Sequence, residues 1–217
     1  MAEVAKSQPV KVREYNRFKI TPIAGALGAE IHGIDVNNLD DETFDDIHSA
    51  WLQYQVLAIR DQDVTPDQQK EFGRRFGDLQ PHAFNAPIDG HPEITEIFKD
   101  KHETANNGGR WHTDQHYRTE PAKMTMLFAH EMPPHGGDTC FANTYLGYES
   151  LSDGMKEMLG GLKGVNNGDS KKHPSGLTRM QRQNAGISTM EQKDPGDEVT
   201  ISEHPIIRTP PETGRKA

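Results

Sequence analysis

The apolar residues of this chain are unevenly placed, and their placement limits what the chain can fold into. Nearly all recognisable strand and helix patterns lie within residues 15–165, whereas residues 166–217 are mostly Gly, Pro, Ser, Asn, Gln and charged residues. Hydrophobic residues make up 33% of the 217 residues, below the roughly 45–50% (Gly included) of a typical soluble domain. We therefore expect one packed domain over the first 165 residues and loop or lid structure after it.

The packed part is expected to have a mainly β core with helices outside it. Its strand patterns lie at residues 18–36 (two strands and a tight turn), 56–60, 93–98, 123–132 and 136–143. Its helix patterns lie at residues 39–54, 65–77 (capped by Thr65) and 153–159 (capped by Ser152). Several short strands that follow two early helices favour such a mainly β architecture with flanking helices.

Charge, hydropathy and cysteine content argue against several classes of function. The formal net charge is -9 and no basic stripe is present, so we expect no nucleic-acid binding. No run of about 18 apolar residues occurs, so no membrane span is expected. The polar tail at residues 1–14 lacks the apolar segment of a secretory signal. Cys140 is the single cysteine; it fits a cytoplasmic location and is expected to be buried on a strand.

The most informative motif is His112-x-Asp114, within the stretch GGRWHTDQHYRTEP (108–121). A histidine and a carboxylate two residues apart on a strand share a face and can converge on one metal. Two histidines and one carboxylate form the iron(II) site of non-haem oxygenases. A surface ion pair is the alternative, and the core-forming segments on both sides favour the metal site. On a strand, His116 would lie about 13 Å from His112, too far to bind the same metal, so we expect it beside the site.

Two further positions are candidates for binding small molecules. The segment HGGDT (135–139) predicts either a hairpin turn or a loop that presents the Thr139 hydroxyl to a ligand carboxylate. His82 lies in a segment too irregular to predict core, which is typical of an exposed loop or of a substrate-facing donor. No G-x-S-x-G motif is present, so serine-based hydrolysis is not predicted.

Several segments of the sequence together carry a resemblance to a known family. They are WHTD (111–114), AHEMPPHGGDT (129–139), FAN (141–143), LSDGMKEML (151–159), HPIIRTPPETGRKA (204–217) and an early FGDL followed by a histidine. From about residue 18 to its end, the chain resembles the taurine dioxygenase family of Fe(II)- and 2-oxoglutarate-dependent dioxygenases. That family includes alkylsulfatases and aryloxyalkanoate dioxygenases.

The resemblance implies a double-stranded β-helix (jelly roll) and a set of site residues. His112 and Asp114 would bind Fe(II), and Thr139 would hydrogen-bond the carboxylate of 2-oxoglutarate. His82 would contact the substrate, an organic acid such as a sulfonate, a sulfate ester or an aryloxyalkanoate. Asn85 and Gly108 would stand where taurine dioxygenase itself has two other substrate-contacting residues, Tyr and Asn. The implied reaction consumes 2-oxoglutarate and O₂, hydroxylates the substrate and releases succinate and CO₂.

The resemblance also implies how the chain is organised. Residues 15–217 would form an incomplete dioxygenase domain, with residues 166–203 as a lid loop. The family's second histidine ligand and its 2-oxoglutarate-binding arginine come after the stretch PETGRKA that ends this sequence. We therefore expect the C-terminal strands of the jelly roll to be missing, iron binding to be weak and turnover to be low. For the full-length enzyme we expect a homo-oligomer.

Two other functions are also compatible with the sequence. The first is a non-catalytic or degenerate binding module of the same fold, which would hold a small acid without iron. The second is a zinc-dependent hydrolase that uses His112, Asp114 and another histidine. A binding module would be indifferent to iron, and a zinc hydrolase would act without O₂ and 2-oxoglutarate.

Overall fold

The structure is a computed structural model that describes residues 14–99, 109–168, 176–186 and 190–217. Most of the predicted polar tail, the position Gly108 and parts of the predicted lid therefore lie outside the described residues. The strands are β1 (Lys19–Pro22), β2 (Ala29–His32), β3 (Leu57–Ile59), β4 (Lys163–Asn167) and β5 (Ile201–Pro205). The helices are α1 (Asp41–Tyr54), α2 (Pro66–Arg74), α3 (Thr144–Glu149), α4 (Asp153–Leu159) and α5 (Arg179–Asn184).

The chain divides into two units. Unit 1 comprises Met1–Val64, His130–Leu162 and Ile206–Ala217, and unit 2 comprises Thr65–Ala129 and Lys163–Pro205. The first 165 residues, expected to form one packed region, are therefore divided between the two units. Each unit also contains a segment from the later part of the chain.

Unit 1 contains a three-stranded sheet against which helix α1 lies. Strand β2 pairs antiparallel with β1 and parallel with β3. The Asp40 side chain caps α1 by accepting a hydrogen bond from the Thr43 amide at 2.7 Å, which satisfies one free amide of the first turn. Ile31 of the sheet and Ile47 of the helix are 0% and 1% exposed. The strands predicted within residues 18–36 and 56–60 and the helix predicted at 39–54 are confirmed.

Unit 2 contains helix α2, the antiparallel pair of β4 and β5, and a small aromatic core. Thr65 and Gln68 form a reciprocal capping box at the start of α2, as expected of Thr65. The core consists of Ala83, Phe84 and Tyr117. His82 immediately precedes this core. The prediction that the segment around His82 is too irregular to contribute to a core is therefore wrong.

Several predicted strands are absent from the described residues. Residues 93–98, 123–132 and 136–143 belong to neither sheet. Along residues 123–128 exposed and half-buried side chains alternate as they do on a strand. A strand also needs a neighbouring backbone to hydrogen-bond, and alternation alone cannot supply one. Cys140, expected to be buried on a strand, is exposed.

The two small sheets do not by themselves show a jelly roll, which stays a prediction, as does the predicted lid at residues 166–203. Parts of that segment have regular structure, since it includes α5 and the first half of β5. In the described ranges, no helix is both long and apolar enough to cross a membrane.

Candidate metal centre

The His112-x-Asp114 motif lies outside both sheets, where residues 111–113 have no regular structure and a turn begins at Asp114. Residues 114–117 form a turn rather than a strand. Gln115 has a φ of 50°, and the Arg118 amide donates to the Gln115 carbonyl at 2.9 Å. A left-handed conformation costs a non-glycine residue roughly 1–2 kcal/mol, so the surroundings must hold this turn. The premise of a strand running through the motif is therefore wrong.

The His112 and Asp114 side chains nevertheless meet. His112 Nδ1 lies 2.7 Å from the Arg110 carbonyl oxygen, and because a carbonyl only accepts, the Nδ1 proton donates to it. His112 Nε2 then faces Asp114 Oδ1 at 3.2 Å. With a proton on Nε2 this contact is the surface ion pair of the alternative interpretation, and without that proton the two atoms can share a metal ion. A separation of about 3 Å is that of neighbouring ligands with metal bonds of about 2.0–2.2 Å.

A third side chain, Thr125, orients the carboxylate. Its hydroxyl donates to Asp114 Oδ2 at 2.9 Å, which leaves Oδ1 directed at His112. Partners of this kind fix the orientation of metal ligands in known sites. Thr125 could not be selected from the residue pattern, because it lies eleven residues from Asp114 and no local motif links the two positions.

The site is open to solvent, and the described residues provide two ligand side chains for it. The His112 and Asp114 side chains are 55% and 53% exposed. Over the described ranges, no group of three or more His, Cys, Asp or Glu is placed to hold a metal ion. The third histidine of the zinc hydrolase alternative is thus not seen there. The ring of His116 lies against that of His204, with centroids 5.0 Å apart. His116 therefore packs on strand β5, and a turn rather than a strand connects it to Asp114.

His82 is half-buried in unit 2 and is held as a neutral donor. Its Nδ1 accepts hydrogen bonds from the amides of Phe84 at 3.1 Å and Asn85 at 3.0 Å, so the ring proton is on Nε2. Burial, with the nearby positive charges of Arg179 and Arg118, lowers the pKa of His82 to about 4. At neutral pH the ring is therefore uncharged and retains one N–H that can donate to a ligand.

Asn85 and Thr139, the other predicted contact residues, have different surroundings. Asn85 is 8% exposed, and its Oδ1 accepts a hydrogen bond from Gln192 Nε2 at 3.3 Å. Asn85 and Gln192 also form an antiparallel bridge. Thr139 is exposed and belongs to unit 1, whereas the other predicted site residues belong to unit 2. Unit 2 therefore contains His82, Asn85, His112 and Asp114, and unit 1 contains Thr139.

Comparison with known proteins identifies relatives over almost the whole chain. A family profile described as "Taurine catabolism dioxygenase TauD, TfdA family" matches residues 19–217. The chain is 31% identical to an alkylsulfatase of Acinetobacter baylyi, over 93% of this chain and 62% of the relative. It is 28% identical to the (S)-phenoxypropionate/alpha-ketoglutarate-dioxygenase of Sphingobium herbicidovorans, over 92% of this chain and 69% of the relative.

A solved structure supports the same relationship. The crystal structure of a taurine dioxygenase from Burkholderia xenovorans is 28% identical, with a TM-score of 0.66. The match covers 93% of this chain and 62% of that chain. The chain therefore spans about three fifths of the length of this structure and of the alkylsulfatase.

Proposed function

Because the chain belongs to the TauD/TfdA family of 2-oxoglutarate-dependent dioxygenases, we propose that it carries part of the Fe(II) site of such an enzyme. The proposed reaction uses 2-oxoglutarate and O₂ to hydroxylate a small organic acid and releases succinate and CO₂. The proposed fold is the jelly roll, residues 15–217 form part of the dioxygenase domain with residues 166–203 as its lid, and the proposed location is cytoplasmic. We also propose that the full-length enzyme is a homo-oligomer.

The observation that carries this proposal is the joint placement of His112, Asp114 and Thr125. The His112 Nδ1 proton is directed at a carbonyl oxygen, so the lone pair that can bind a metal is on Nε2, the atom that faces Asp114 Oδ1. Thr125 holds one carboxylate oxygen of Asp114, which leaves the other available on the same side as Nε2. Histidine nitrogen with carboxylate oxygen is the donor set of non-haem iron(II) sites. When bound, the iron supplies the oxygen chemistry, and the protein supplies the ligand geometry.

The charges near His82 support an organic anion as the substrate. The positive charges of Arg179, Arg118 and Lys193 lower the pKa of His82. The negative charge of Asp114 acts on the same ring and opposes them. A neutral Nε2–H beside several cations suits a sulfonate, sulfate or carboxylate group, which accepts hydrogen bonds and carries negative charge. The names of the two relatives, an alkylsulfatase and a phenoxypropionate dioxygenase, indicate substrates of this class.

The roles of Asn85 and Thr139 rest on the family resemblance. We propose that Asn85 lines the substrate site beside His82, since both side chains belong to the same short segment. We propose that Thr139 hydrogen-bonds the 2-oxoglutarate carboxylate through its hydroxyl, which needs no charge of its own to do so.

Metal binding tests the proposal directly. Anaerobic titration of the 217-residue chain with Fe(II) should show binding that His112→Ala and Asp114→Ala each weaken at least tenfold, because each removes one of two ligands. The exposed His135 of unit 1 provides the control, and His135→Ala should bind as the wild type does. Equal affinity in all four proteins would contradict the proposed site.

Activity measurements separate the proposed function from its alternatives. Succinate should form from 2-oxoglutarate only with Fe(II) and O₂, and more rapidly with an accepted organic acid. Hydrolysis without O₂ and 2-oxoglutarate would favour the zinc enzyme instead. Tight binding of an organic acid that is unchanged by metal removal would favour the binding module.

A further inference from the structure

Strand β5 buries two polar side chains, those of Ser202 and His204, whereas its exposed residues are Ile201, Glu203 and Pro205. A buried polar pair beside an exposed isoleucine is unusual, because large apolar side chains are more often the buried ones. Ser202 is 9% exposed and His204 is 7% exposed, whereas Ile201 is 53% exposed. Buried polar groups are tolerated in a protein when they are hydrogen-bonded. The partners of Ser202 and His204 therefore decide what this strand contributes to unit 2.

Both side chains bind backbone carbonyl groups of the segment that follows Asp114. The Ser202 hydroxyl donates to the His116 carbonyl at 2.7 Å. His204 Nε2 lies 2.8 Å from the Arg118 carbonyl and 2.9 Å from Ser202 Oγ. Since a carbonyl only accepts, the Nε2 proton donates to Arg118 and is shared with the Ser202 oxygen. The His204 ring also lies against that of His116.

The His116 carbonyl belongs to the turn at residues 114–117, and the other carbonyl belongs to Arg118, whose amide closes that turn on Gln115. This turn contains Gln115 in a left-handed conformation with a φ of 50°. A non-glycine residue adopts such a conformation when contacts around it hold it there. Strand β5 supplies contacts on the far side of the turn, two and four residues beyond the carboxylate that is proposed to bind the metal.

We propose that Ser202 and His204 are positioning residues for the metal centre. Their hydrogen bonds reach the turn backbone and each other, so they act by fixing where Asp114 stands relative to His112. The role rests on the proposed function, because it presupposes that His112 and Asp114 bind a metal ion.

Matched substitutions separate the hydrogen bond from the packing. His204→Gln retains an N–H donor near the position of Nε2, whereas His204→Met has a similar volume and no donor. Ser202→Thr keeps the hydroxyl and Ser202→Ala removes it. Ile201→Thr, on the exposed face of the same strand, provides the control.

The measurements are titration and absorption spectroscopy of the 217-residue chain with Co(II) as the metal probe. His204→Met and Ser202→Ala should weaken Co(II) binding about tenfold and alter the visible spectrum, which reports ligand geometry. His204→Gln and Ser202→Thr should retain most of the affinity, and Ile201→Thr all of it. The Arg118 amide, hydrogen-bonded within the turn, should exchange with solvent faster only in the two variants that lose a donor.

Two results would overturn the proposal in distinguishable ways. Equal Co(II) affinity in the wild type, His204→Met and Ser202→Ala would remove the positioning role while leaving the metal site standing. A wild type that does not bind Co(II), or that binds it no better than Asp114→Ala, would refute the proposed function and the positioning role together. Should His204→Met fail to fold, the Ser202 pair still provides the comparison.

Discussion

At the scale of single residues, the candidate site depends on which atoms hold protons. The Arg110 carbonyl accepts a hydrogen bond from His112 Nδ1, and the Thr125 hydroxyl donates one to Asp114 Oδ2. With these contacts in place, the remaining metal-binding atoms, His112 Nε2 and Asp114 Oδ1, face each other. His82 is arranged in the opposite sense, since two backbone amides occupy its Nδ1 and leave Nε2 as a donor. One histidine is thereby suited to a cation and the other to an anion.

Replacement of Thr125 tests the orientation of the carboxylate. Thr125→Val keeps the shape of the side chain and removes its hydroxyl, so Asp114 loses the partner of Oδ2. We expect Fe(II) affinity to fall by about tenfold in Thr125→Val and to be retained in Thr125→Ser. Anaerobic Fe(II) titration measures the difference, and a Thr125→Val protein with wild-type affinity would show that the hydroxyl does not orient the ligand.

The charge of Arg179 provides a test at His82. The Arg179 guanidinium lies 4.9 Å from the centre of the Phe84 ring, and its charge contributes to the lowered pKa of His82. Arg179→Gln should therefore raise that pKa above about 4, although burial, the larger cause, will keep it below 6.5. NMR titration of the ring gives the value, with Arg182→Gln on the same helix as the control. An unchanged pKa would contradict the assigned cause.

The same shift makes stability depend on pH. The folded chain holds His82 with a pKa of about 4, against an ordinary value of 6.5, so the unfolded chain binds its proton more readily. The free energy that neutral His82 contributes to folding is fully present above pH 6.5 and is lost as the pH falls from 6.5 towards 4. In Arg179→Gln this loss should be smaller, which urea unfolding at several pH values would detect.

At the scale of elements, helix and capping patterns predicted α1, α2 and α4 but not α3 and α5, and strand patterns predicted the sheet of unit 1 but not that of unit 2. Thr65 and Ser152 both cap the helices that they were expected to begin, because a cap is a contact between residues three apart. Exposed and half-buried side chains do alternate along residues 123–128, but no strand of the described chain pairs with this segment. Strands β4 and β5 were not predicted, since Gly and Asn interrupt β4 and polar residues occupy the buried face of β5.

The end of β4 offers a test of packing in unit 2. A Cβ added at Gly168 would lie 2.6 Å from Phe84 Cε2 and 2.8 Å from Tyr117 Cδ1, closer than atoms can approach. Gly168→Ala should therefore destabilise the protein by roughly 1–3 kcal/mol, as measured by denaturant unfolding. At Gly161 an added Cβ meets nothing within 4 Å, so Gly161→Ala should have little effect. Equal midpoints for the two variants would refute this packing.

At the scale of the whole molecule, the negative net charge of the chain does not predict the charges around His82. The chain has a formal net charge of -9, yet the charges that act most strongly on His82 are those of Arg179 and Arg118. A net charge is a sum over the surface, whereas the electrostatics of a site depend on which few side chains the fold gathers there. An anionic ligand is thus compatible with an acidic chain.

Features that act over short distances along the chain could be predicted from the residues alone. These are the helix caps, the pairing of His112 with Asp114, and the family motifs from which the metal site was expected. Features that join distant segments became known with the fold. It brought Thr125 to Asp114, Gln192 to Asn85, and the buried face of β5 to the turn after the motif. Such contacts depend on how the backbone reverses and pairs, and a residue pattern states only what each segment could bury or bind.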